Sequence, residues 1–238
     1  MQIRQKKDNT IKTIVKEGDI KMNLANKLTV LRMILVPVFV VIGYLGSLGV
    51  ITGEWLGIPT SFWLMNIIFI IASITDKLDG YIARTRNQVT TFGKFLDPLA
   101  DKILVLTALV MLVEYGKIPA WIPVIVLARE FLVSGYRLVA VEKGGKVIAA
   151  SIWGKLKTVT QMIAIILVFV DKFNFFDFII ANTNKVESMA SSIQVYMTTP
   201  EIVFNVLTSV LMLVSVVATI FSGYDYLKGG KDLFKDKE

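Results

Sequence analysis

Residues 61–114 read SFWLMNIIFIIASITDKLDGYIARTRNQVTTFGKFLDPLADKILVLTALVMLVE, two long apolar blocks whose facing ends carry acids, glycines and arginines. Each block is about 20 residues, long enough to cross roughly 30 Å of hydrocarbon at 1.5 Å per helical residue. Blocks of the same kind recur on both sides, and spans are expected at about 28–45, 61–83, 95–114, 119–141, 152–171 and 202–224. Hydrophobic residues make up 54% of the 238, above the roughly 45–50% of soluble domains. The expected fold class is all-α: a polytopic membrane protein of six transmembrane helices behind a cytoplasmic N-terminal amphipathic or juxtamembrane segment.

An even number of crossings places both termini on one side. Lysine and arginine favour cytoplasmic connections. They are dense in the N-terminal segment (Arg4, Lys6, Lys7, Lys12, Lys16, Lys21, Lys27), in 84–94 (Arg84, Arg86, Lys94) and in the tail (Lys228, Lys231, Lys235, Lys237). The opposite connections hold none in 46–60, then Lys117, then Lys172 and Lys185. Both termini are therefore expected in the cytoplasm, with the acidic ends of the second and third spans on that same face of the cell membrane.

The chain divides into a polar, basic extension over 1–21, a membrane domain over 22–228 and a charged cytoplasmic tail over 229–238. The extension has no short apolar region ending in a small-residue cleavage site, so it reads as a tail or an added segment rather than a signal peptide. The connection over 172–201 mixes phenylalanines with polar residues and is expected to lie along the interface; no chemistry is assigned to it.

Cysteine and histidine are both absent. That removes disulfides, thiolate nucleophiles, Cys/His zinc sites and imidazole catalysis together, so any metal must be held by oxygen. The net charge of +7 comes from residues flanking apolar blocks, where anionic lipid is the partner rather than nucleic acid. No internal repeat is visible, which counts against the repeated halves common in secondary transporters.

Asp76, Asp79, Gly80 and Ala83 are spaced i, i+3, i+4, i+7, one helical stripe of two carboxylates and two small residues. Gly93, Asp97 and Asp101 follow at i, i+4, i+8 on the next span. The short connection makes the two helices antiparallel neighbours, so four carboxylates converge. Taken one at a time, such acids read as interface charges paired with Lys77, Lys94 and Lys102. Four together repel unless cations neutralise them, and all-oxygen ligation suits Mg²⁺, Mn²⁺ or Ca²⁺. Two such ions clamp a diphosphate for in-line displacement, while Gly80 and Gly93 admit a nucleotide close to the backbone.

Asp76, Asp79, Gly80, Ala83, Arg84, Gly93, Asp97 and Asp101 together match the pattern DxxDG, two residues, AR, eight residues, G, three residues, D, three residues, D. This resembles the signature of the CDP-alcohol phosphotransferases. The resemblance implies Mg²⁺ or Mn²⁺, one or two ions, on Asp76, Asp79, Asp97 and Asp101. It also implies CDP binding by Asp76, Asp79, Gly80, Ala83, Arg84 and Gly93, Asp101 as general base, and a homodimer.

Over 22–165 the chain further resembles the bacterial phosphatidylglycerophosphate synthase branch. Asn26, Thr29 and Arg32, the stretch Ala128-Arg129-Glu130, Arg137, and Gly154-Lys155 with Lys157-Thr158 carry that likeness; Ala25 departs from it, proline being common there. Asn26, Thr29 and Arg32 are candidate substrate contacts. Arg129 and Arg137 lie about two turns apart on one helix and Lys155 and Lys157 open the next, an anion pocket that suits a phosphorylated acceptor. The implied reaction moves the phosphatidyl group of CDP-diacylglycerol to glycerol 3-phosphate, giving phosphatidylglycerol phosphate and CMP. Another acceptor (inositol phosphate, serine or phosphatidylglycerol) is the near alternative. A cation transporter is the remote one, disfavoured because the acids sit at helix ends rather than along a midplane path.

Overall fold

The computed structural model describes residues 24–85, 91–142, 152–182 and 197–229. The expected extension over 1–21 and the tail beyond 229 lie outside them. Six long helices fill the described chain: α1 Leu24–Ser47, α2 Thr60–Thr85, α3 Thr91–Glu114, α4 Trp121–Glu142, α5 Ile152–Val170 and, after the short α6 Asp177–Asn182, α7 Thr199–Gly229. A two-residue antiparallel ladder, β1 Glu54–Trp55 with β2 Ile58–Pro59, turns the chain between α1 and α2. It is a local departure from an all-α reading.

Two helices stop where glycine takes a left-handed conformation. Gly49 (φ 70) and Gly116 (φ 67) each close a Schellman motif, with Val50 N bonding Leu45 O at 2.9 Å and Lys117 N bonding Leu112 O at 2.8 Å. Among the described residues, three helices are long and apolar enough to cross a membrane, Lys27–Ser47, Ile152–Val170 and Thr199–Lys228, and Thr60–Thr75 is a shorter apolar stretch. In lipid, helices associate through close packing and interhelical hydrogen bonds rather than escape from water. The packing is dense around Phe169 of α5, whose ring meets Phe39 of α1 at 5.9 Å and Phe62 of α2 at 6.0 Å, both edge to face. α1 approaches α2 closely enough at Gly46 that an added methyl would overlap the Ser61 side chain.

One end of the bundle is tied by a buried polar knot. Lys117, between α3 and α4, donates from its ammonium to the carbonyls of Asp171 (2.8 Å), Lys172 (2.9 Å) and Phe173 (3.3 Å), in the turn that follows α5. The buried Asp171 carboxylate accepts from Phe173 N at 3.0 Å, Asn205 Nδ2 at 2.9 Å and the Thr208 hydroxyl. Burial pulls the Lys117 ammonium below the ordinary lysine range, while Asp171 and Asp177 pull the other way. The start of the 172–201 connection is thereby bound to α7, with Phe176 N donating to Ser209 Oγ at 3.1 Å and Phe178 N to Asn205 Oδ1 at 3.1 Å.

Candidate active site

α2 ends and α3 begins with the acidic signature. Asp76, Asp79, Gly80, Ala83 and Arg84 occupy the last turns of α2, and Gly93, Asp97 and Asp101 the first turns of α3. Five residues separate the two helices, so the two stripes belong to the same end of the bundle, opposite the Lys117 knot. The side chains of all eight lie outside the described residues, as does that of Asn26. Thr29 and Arg32, the other candidate contacts on α1, are buried at 1% and 0% exposure. An arginine this buried is held inside the protein rather than spread among lipid headgroups.

The basic residues are placed in more detail. Arg129 and Glu130 lie midway along α4, Lys157 in the second turn of α5 and Lys102 midway along α3. Glu130 gathers all three. Its Oε1 accepts from Arg129 Nη1 at 2.9 Å and from Lys157 Nζ at closer range, and its Oε2 lies 3.5 Å from Lys102 Nζ. Lys102 also donates to Ser134 Oγ.

From the other side, α7 supports the two arginines. Arg129 Nη2 donates to Ser222 Oγ and Arg137 Nη2 to the Tyr226 hydroxyl at 2.6 Å. Both guanidinium groups also lie over the Tyr226 ring, at 5.8 and 5.5 Å from its centroid, an arrangement in which the ring face attracts the cations. Lys155 is exposed at the start of α5.

A cleft of about 130 Å³ opens against this cluster, lined by Lys102, Arg129, Glu130, Lys157, Thr158 and Gln161 over an aliphatic floor that includes Val105 and Val126. Three cations face one carboxylate there, so the cleft holds net positive charge in surroundings that screen it poorly. An anion entering it gains charge-assisted hydrogen bonds. Of the four residues expected to form an anion pocket, the structure joins Arg129 and Lys157 through Glu130, sets Arg137 beside Arg129 through Tyr226, and leaves Lys155 exposed and outside the cleft lining.

A model of the CDP-alcohol phosphatidyltransferase family matches residues 22–221. The chain belongs to this family. Among its relatives, the CDP-diacylglycerol–glycerol-3-phosphate 3-phosphatidyltransferase of Bacillus subtilis is 48% identical over 147 residues, 60% of this chain and 74% of that one. The protein of the same name from Haemophilus influenzae is 42% identical over 149 residues, 61% and 74% of the two chains. That from Rickettsia bellii is 33% identical over 213 residues, 89% and 97% of the two. The phosphatidyltransferase family match thus contains both the acidic helix ends and the cationic cleft.

Three residues of the cleft and its support escape a reading of the sequence alone. Ser222 and Tyr226 sit in an apolar block, but with Ser215 and Thr219 they recur at helical spacing, and all four are buried. That periodic polar stripe was the available signal. Gln161 follows Lys157 by four residues, and the same spacing rule would have placed it beside the pocket.

Proposed function

We propose that this phosphatidyltransferase moves the phosphatidyl group of CDP-diacylglycerol to the sn-1 hydroxyl of glycerol 3-phosphate, releasing CMP and giving phosphatidylglycerol phosphate for phospholipid biosynthesis. The observation that carries the acceptor choice is the net-positive cleft built by Lys102, Arg129 and Lys157 around Glu130. A phosphorylated acceptor needs such a site, and an uncharged alcohol does not.

Asp76, Asp79, Asp97 and Asp101 are the residues to hold one or two Mg²⁺ or Mn²⁺ ions; their donor chemistry is all oxygen, and the helix ends that carry them are joined by a short connection. When bound, such ions neutralise the diphosphate and stabilise the attacking and leaving oxygens. Gly80, Ala83 and Gly93 leave room for the cytidine, and Arg84 completes the nucleotide site. Arg129, Arg137, Lys155 and Lys157 hold the acceptor phosphate, and Asn26, Thr29 and Arg32 on α1 contact substrate.

Asp101 takes the proton of the sn-1 hydroxyl. The hydroxyl oxygen forms a bond to the phosphorus bearing diacylglycerol as the bond from that phosphorus to CMP breaks. No covalent enzyme intermediate is required. In this reading all six long helices cross the cell membrane, both termini and the active site face the cytoplasm, and the protein works as a homodimer.

The test is CMP release by the purified protein in detergent, with CDP-diacylglycerol and Mg²⁺ and a choice of glycerol 3-phosphate, inositol phosphate, serine or phosphatidylglycerol. Release with glycerol 3-phosphate alone, stopped by EDTA, is the expected result. Preference for serine overturns the reading of the cationic cleft, preference for inositol phosphate or phosphatidylglycerol overturns the choice of glycerol 3-phosphate, and release that survives EDTA overturns the metal site.

A further inference from the structure

Gln161 stands one turn beyond Lys157 on the buried face of α5 and is 2% exposed. Its neighbour Thr160 satisfies its hydroxyl on the carbonyl of Leu156 at 2.8 Å. Gln161 has no such solution: its buried Nε2 meets no hydrogen-bond partner among the described residues. The side chain lines the cationic cleft, where Arg129 Nε is likewise buried and unmet. Buried donors are nearly always satisfied, so two unmet donors on residues that line one cleft point to a ligand oxygen there.

The chemistry of the walls distinguishes the two donors. Arg129, Lys157 and Lys102 carry charge and suit a phosphate, whereas the Gln161 amide is neutral and lies four residues further along α5, beside the aliphatic Val105 and Val126. The cleft, at about 130 Å³, suits a small polyol phosphate and not a CDP-lipid. We infer that Gln161 is a specificity-determining residue of the acceptor site, whose amide N–H donates to an oxygen of the acceptor's glycerol portion while Arg129 and Lys157 hold its phosphate. This rests on the reading of the cleft as the acceptor site.

Gln161→Met keeps the length of the side chain and removes the donor. Losing one neutral hydrogen bond to substrate raises the KM for glycerol 3-phosphate about 3- to 10-fold, with the KM for CDP-diacylglycerol unchanged. Calorimetric titration with glycerol 3-phosphate should show the same loss, while inorganic phosphate, which lacks the glycerol, binds wild type and variant alike. Gln161→Glu, of the same shape but anionic, should weaken glycerol 3-phosphate further than methionine does.

An unchanged KM and affinity in Gln161→Met overturn the inference. So does a rise in both KM values together with a lowered melting temperature, which is the mark of a packing role. Wild-type protein inactive with glycerol 3-phosphate overturns the proposed function and takes this inference with it. Active wild type with an unaffected variant removes the Gln161 assignment alone.

Discussion

At the scale of residues, Asp101 and Glu130 do opposite things with a carboxylate. Asp101 is proposed to accept a proton, so Asp101→Asn should abolish turnover while metal-dependent binding of CDP-lipid persists in an equilibrium binding assay; an active variant removes the base assignment. Glu130 instead neutralises cations. Replacing it by glutamine leaves Lys102, Arg129 and Lys157 with no counter-charge from that position, and breaking a partly buried ion cluster costs about 1–3 kcal/mol. Thermal unfolding in detergent should show that loss, and glycerol 3-phosphate should raise the melting temperature of Glu130→Gln more than that of wild type, because the bound phosphate supplies the missing charge. Sequence made the two roles unequally legible. The aspartates announce themselves by fixed spacing within 26 residues of chain. Glu130 shows only its neighbour Arg129, because Lys102 and Lys157 reach it from other helices and nothing local encodes how those helices are rotated.

Among the elements, apolar blocks gave helix positions closely. The span expected at 61–83 is α2 Thr60–Thr85, and that at 152–171 is α5 Ile152–Val170. α7 runs longer than the expected 202–224, from Thr199 to Gly229, and its added last turns carry Tyr226, which accepts from Arg137. The β1–β2 ladder escaped notice because two residues per strand leave no period to read. The Lys117 knot escaped too, since a single lysine in a short loop looks like any other surface charge. Its three carbonyl bonds make it a fastener between the α3–α4 turn and the end of α5. Lys117→Met should cost about 1–3 kcal/mol of stability by stranding those carbonyls, with KM values unchanged because the catalytic residues belong to the other end of the bundle. The sign with pH is fixed by burial. The folded chain releases this proton below the ordinary lysine value of 10.5, so between the folded value and 10.5 the unfolded chain binds more protons and stability rises with pH. A denaturation series through that window should show the rise in wild type and not in Lys117→Met.

For the whole molecule the number of crossings decides on which side each terminus lies, and the site charges fall on helices proposed to cross. Among the described residues, α1, α5 and α7 are long and apolar enough to span by length and hydropathy, and α2 contributes the apolar stretch Thr60–Thr75. α2 carries Asp76, Lys77, Asp79 and Arg84; α3 carries Lys94, Asp97, Asp101 and Lys102; α4 carries Arg129, Glu130, Arg137 and Glu142. These are the residues proposed for nucleotide, metal and acceptor, together with their neighbours, so the charges of the site sit on three helices that are proposed to cross the membrane. Six crossings place both termini on one side, whereas three place them on opposite sides. Because the chain has no cysteine, single cysteines report this without background. Gln5→Cys, Asn87→Cys and Lys235→Cys should react with an impermeant maleimide only after cells are opened, and Leu56→Cys, exposed between α1 and α2, should react on intact cells. Labelling of residue 235 but not residue 5 on intact cells would mean an odd number of crossings, and labelling of residue 87 on intact cells would place the acidic ends of α2 and α3 outside the cytoplasm.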